Sequence, residues 1–97
     1  MPLIKLQSQA ASLAPWQSRV LATAGDANLK VLRMDGSPYP EEIHDYPESL
    51  LVIEGQLNLT LGAEAITVRA GELFVVPVGT AHAVAAGSHG VLVIMDR

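Results

Sequence analysis

The feature that most constrains this chain is a recurring pattern of short apolar runs. RVLATAG, LKVLRMD, SLLVIEG, QLNLTLG, AITVRAG, ELFVVPVG, HAVAAG and VLVIMD follow one another from about residue 18, rich in Val, Ile, Leu and Thr and separated by Gly, Asp, Asn or Pro. Such runs read as strands, and their near-regular spacing predicts an all-β sandwich or barrel. In QLNLTLG the alternation is clean: Leu57, Leu59 and Leu61 share one face while Gln56, Asn58 and Thr60 share the other. That run has one wet side.

Residues 50 to 53, 73 to 76 and 91 to 95 are apolar at consecutive positions, so both faces of those strands need a cover. Only residues 3 to 16 lack strong strand character, an irregular arm or a short helix up to Pro15. The arm is too short to cover every face. One outward residue of each pair, such as Val93 or Ile94, Val75 or Val76, is therefore expected in contact with a second copy, which predicts a homodimer. Ninety-seven residues at 49% apolar content suffice for one core, and the chain reads as one domain with an N-terminal arm of about residues 1–17.

Six Lys and Arg against ten Asp and Glu leave a net charge of −4, which excludes a basic phosphate-binding stripe and hence nucleic acid as a partner. The absence of cysteine excludes disulfides, thiolate metal sites and a cysteine nucleophile. Any metal must be held by His, Asp or Glu. The N-terminus lacks the basic and apolar regions of a signal peptide, and no run reaches the length of a membrane span. A soluble, cytoplasmic protein with no membrane partner is expected.

Two segments carry chemistry. In PYPEEIHDYPESLLVIEG, residues 38 to 55, an extended backbone projects Glu42, His44 and Tyr46 together, and Glu48 continues that phase if Pro47 does not break it. A carboxylate and an imidazole facing a barrel interior are costly to bury unless paired or bound, and a divalent ion would meet that requirement. In GELFVVPVGTAH, residues 71 to 82, a strand ends at Pro77, turns at Gly79 and resumes at His82, which shares its phase with Val84 and Ala86.

Together these segments resemble the cupins, specifically small single-domain cupins of the cupin 2 or RmlC-like barrel type. The second motif of that family, G-x5-P-x-G-x2-H-x3-N, is matched by Gly71, Pro77, Gly79 and His82, with Ala86 in the Asn position. The first, G-x5-H-x-H-x3 or x4-E-x6-G, is matched by Gly36, His44, Glu48 and Gly55, with Glu42 where the first His would stand. Four such fixed positions recur by chance on the order of once per 10⁵ starting points at ordinary abundances. The resemblance spans about residues 29 to 95 and implies an all-β, cupin-type barrel, also described as a double-stranded β-helix with jelly-roll character.

The resemblance also implies a site for a divalent transition metal ion (Fe, Mn, Ni, Co or Zn) at His44, Glu48 and His82. Glu42 is either a fourth ligand or a solvated loop carboxylate beside Glu41, which could itself take that place in another register. With both carboxylates bound, two neutral imidazoles leave the ion formally neutral. Without Glu42, two His and one carboxylate form the facial set that suits non-heme Fe(II).

Among the other polar and aromatic residues, His89 in GSHG reads as an exposed hairpin-turn residue or a rim acid or base. Glu54 reads as a turn residue, Tyr39 and Tyr46 as phenols at the mouth or packing groups, and Trp16 as a plug for the barrel or a dimer seam. The pocket is expected to be small and mostly apolar beyond its ligands. Two functions stay open: a metal-binding cupin that binds or transforms a small organic molecule, by oxygenase-type or isomerase-type chemistry, or a non-catalytic module that binds or senses a small ligand.

Overall fold

A computed structural model describes residues 3–97; the first two residues of the N-terminal arm lie outside them. A short helix α1 (Leu6–Ala11) precedes strands β1 (Arg19–Ala24), β2 (Ala27–Asp35), β3 (Tyr39–Glu42) and β4 (Glu48–Leu61). They are followed by β5 (Glu64–Arg69), β6 (Leu73–Val76), β7 (His82–Val84) and β8 (His89–Asp96). All pairings are antiparallel, in the order β1-β2-β8-β4-β7-β3, with β5 and β6 also on β4. The all-β expectation holds.

Strand β4 organises the curl. Its first half pairs with β8 on one edge and β6 on the other, while its second half pairs with β5 and β7. One long strand thus serves both sides of a single sheet that curls over a common interior. SLLVIEG and QLNLTLG, read from sequence as separate strands, are the two halves of this element. Glu54 is correspondingly not a turn residue; it sits at a bulge where the β4–β8 register shifts between Val52 and Glu54. The extra residue flips the phase, so Glu48, Leu50 and Val52 are buried before the bulge and Leu57 and Leu59 after it.

Just beyond the bulge Gly55 faces Gly90, with φ of 80° and 102°. A Cβ on Gly55 would lie 2.0 Å from the His89 carbonyl oxygen, and one on Gly90 would lie 2.0 Å from that of Glu54. Only glycines allow the two strands to cross there. His89 is likewise not in a turn: it opens β8, exposed, paired with Asp35 on one side and Gln56 on the other.

The interior core comprises Leu32, Met34, Leu50, Leu57, Leu59 and Leu92 with their neighbours. A second cluster lies outside the sheet, where Val31, Val91 and Val93 meet Ala10 of α1, flanked by Leu6, Leu13, Leu51 and Ile53. Leu6, Ala10 and Leu13 recur at helical spacing, so the helix presents one apolar stripe to the sheet. At six residues it is too short to be stable alone and is held by this packing. The expectation that the outward face of β8 needs a second copy is therefore corrected: α1 covers Val93, leaving it 8% exposed.

Candidate metal centre

The site forms where the two sequence segments meet. The segment after β3 brings His44 inward, Glu48 opens β4, and His82 opens β7 opposite Glu42 of β3. The Gly79 N–H donates to the His44 carbonyl at 2.9 Å, which ties the two loops together. Phase survives the break at Pro47, since Glu42, His44, Tyr46 and Glu48 all line one cavity together with His82.

One donor atom from each of His44, Glu48 and His82 lies within 4.8 Å of the others. His82 Nε2 is 3.3 Å from Glu48 Oε1, and His44 Nε2 is 3.9 Å from Glu48 Oε2. Ligands bound at about 2.1 Å to one ion stand about 3 to 4 Å apart, so the set fits an ion with small side-chain adjustments. His82 Nδ1 lies 3.0 Å from the Thr80 carbonyl. A carbonyl only accepts, so Nδ1 carries a proton and Nε2 is the ring nitrogen that faces the cluster, the orientation that outer partners give to metal-bound imidazoles.

Glu42 stands apart from this trio. Its carboxylate approaches His44 Nε2 at 3.6 Å, but its side chain is 45% exposed at the mouth. Tyr46 stacks on His44, with ring centroids 4.8 Å apart, and backs that imidazole. Burial, helped by the negative charges of Asp96 and Glu48, raises the Tyr46 phenol above its ordinary range.

Two charged residues that sequence reasoning missed also line the cavity. Lys30 Nζ lies 2.7 Å from Asp96 Oδ1, an ion pair off the line of a well-directed hydrogen bond. Asp96 is buried and stands beside Glu48, because β8 lies between β2 and β4. Burial raises the Glu48 carboxyl above the ordinary 4.5, and a hydrogen bond donated to Asp96 by its protonated form adds to this; His44 and His82 oppose it. The expectation of a mostly apolar pocket is corrected accordingly. A signal existed: Lys30 shares its phase with Leu32 and Met34, and Asp96 with Leu92 and Ile94, so each is a charge on an inward face.

The cavity measures about 190 Å³. Its remaining wall includes Leu50, Leu57, Leu59 and Val84 with Trp16 and Tyr39. Trp16 is half-buried at the cavity edge and packs against the interior core, its backbone N–H bonded to the Arg33 carbonyl at 2.9 Å. Its indole N–H donates to Asp35 Oδ1 at 2.9 Å and to Ser37 Oγ at 3.0 Å. Hydrogen bonds from the Ser37 hydroxyl first, then the Ser37 N–H and the indole, hold the Asp35 carboxyl below its ordinary value.

The cupin domain model matches residues 29–96. No curated protein matches the chain. Among solved structures, a cupin-2 domain containing protein from Shewanella frigidimarina superposes with a TM-score of 0.87 at 26% identity, over 96% of this chain and 92% of that one. A protein from Neisseria meningitidis gives 0.83 at 23% identity over 98% of both chains. KdgF from a Halomonas species gives 0.70 at 24% identity, over 82% of this chain and 76% of its own. With a family match over most of its length and the same curled sheet, this chain belongs to the cupin domain family.

Proposed function

We propose that this cupin binds one divalent transition metal ion at His44, Glu48 and His82 and binds or transforms a small organic molecule beside it. The observation that carries the reading is the anchoring of His82: its Nδ1–H donates to the Thr80 carbonyl, which leaves Nε2 as the ring nitrogen that faces Glu48 Oε1 at 3.3 Å. Two neutral imidazoles and one carboxylate suit Fe, Mn, Ni, Co or Zn. A bound ion would supply a Lewis acid and open positions for oxygen donors of a ligand. The chain's own residues do the rest. Tyr46 holds the His44 ring, Lys30 offsets the charge of Asp96 beside Glu48, and the apolar wall excludes water from one side of the ligand.

Elemental analysis of protein purified without added metal tests this. About one transition metal per chain is expected in the wild type and none in His82→Ala. A wild type holding no more of any of these metals than His82→Ala would overturn the proposal and leave the non-catalytic ligand-binding module as the better reading.

A further inference from the structure

The strand order begins at β1 and ends at β3, and no backbone ladder joins those two edges. The cavity would lie open along this seam but for side chains. Trp16, just before β1, and Tyr39, the first residue of β3, meet across it with ring centroids 5.6 Å apart and planes tilted by 36°. Trp16 also packs against the interior core, so one part of the indole is seated and another faces the cavity.

Trp16 is the one residue other than glycine with positive φ, at 65°, among the described residues. A bulky side chain in that conformation is strained, and such strain persists only where the surroundings over-determine it. Here a backbone hydrogen bond to Arg33 and the two acceptors on the indole N–H fix the ring's position and tilt. Filling the seam would need only apolar bulk; a ring anchored at its polar edge presents a fixed π-face. Residue 16 also lies outside the span matched by the family model, so this wall is added by the arm.

We propose that Trp16 determines which ligands the cavity accepts, its indole face binding the flat, unsaturated body of a small molecule whose oxygen donors face His44, Glu48 and His82. This rests on the metal-site reading for the donor end and on the arm alone for the body end. The cavity of about 190 Å³ is near the ~150 Å³ that accommodates benzene in an engineered apolar cavity, so one ring fits. Offset or edge-to-face contact with the tilted Trp16–Tyr39 pair would add to simple burial.

The test uses two probes that share a pair of oxygen donors and differ in the body: catechol, with a ring, and glycolate, without one. Titration calorimetry is run on the purified chain, its metal content measured on the same sample, for the wild type, Trp16→Leu and Trp16→Phe. Trp16→Leu keeps apolar bulk in the seam and Trp16→Phe keeps a ring.

Catechol is expected to bind about tenfold more weakly to Trp16→Leu, with most of the affinity restored in Trp16→Phe, while glycolate changes less than about twofold. Catechol should also quench the fluorescence of Trp16, the chain's single tryptophan. Equal weakening of both probes, unchanged catechol affinity in Trp16→Leu, or no catechol binding to the wild type would each overturn the proposal. A sample without metal that fails to bind glycolate yet still ranks catechol by the ring at position 16 would sink the metal reading and leave this one standing.

Discussion

Burial and ionisation compete at Glu48, which a metal ion needs charged and which the barrel interior favours protonated. The folded carboxyl has its pKa raised above the ordinary 4.5, first by burial and then by Asp96. A raised carboxyl makes the folded state the tighter proton binder. Its stabilising contribution is therefore complete below about the unfolded value and is lost as pH rises through the folded one. In chelator-treated protein, the urea midpoint of the wild type should fall, relative to that of Glu48→Gln, which has no proton to lose, as pH rises above the ordinary carboxylate range. Parallel pH profiles for the two proteins would show that Glu48 is not held protonated. At this scale the sequence was informative where motif spacing is local: His44, Glu48 and His82 could be named before any contact was known. Lys30 and Asp96 could not, because they meet only through the β2–β8–β4 register, which joins segments far apart in the chain.

Among the elements, β4 depends on one crossing point. Gly55 and Gly90 each leave no room for a Cβ, the obstruction being backbone carbonyl groups that cannot swing aside as a side-chain tip can. Gly55→Ala and Gly90→Ala should each cost about 3 kcal/mol or more, combining the positive-φ penalty with a forced shift of the ladder. Gly62→Ala is the control, since its φ is also positive but nothing lies within 4 Å; about 1 kcal/mol is expected there. Urea unfolding of the three variants checks this, and equal losses would show that the crossing relaxes freely. The same glycine explains why two strands were read where one runs: Glu54-Gly55 has the composition of a turn, and a bulge differs from a turn only in whether the chain continues forward. Strand β3 lies in the segment read as extended but does not stand out as a strand of its own, since Pro38 and Pro40 interrupt the strand signal.

For the whole molecule, the described residues cover the sheet's outer face at one end and leave it exposed at another. Helix α1 covers Val31, Val91 and Val93, whereas on β6 and the nearby loops Leu73 is 54% exposed, Val75 49%, Val78 57% and Ile43 63%. We propose that a homodimer pairs these residues, at roughly 25 cal/mol for each Å² of apolar surface buried. Light scattering at micromolar concentration should give twice the 10.3 kDa chain mass, and Val75→Asp should return it to one. A wild-type mass of one chain would sink the expectation. Among the described residues no helix is long and apolar enough to cross a membrane. Barrel class was legible from the repeated short strands, and the span of the family match from the motif resemblance; the helix as cover was not, because six residues of Leu, Gln, Ser and Ala give little pattern of their own. The position of β8 between β2 and β4 has a consequence for how such a chain reaches its native state. Up to Ser88 the polypeptide can zip β1 to β2, and separately β4 to β5, β6 and β7 with β3 on β7, but no strand pairing joins the two halves. The final join is an insertion between two waiting edges, so during synthesis on a ribosome the binding cavity assembles only after His89 to Asp96 have left the exit tunnel.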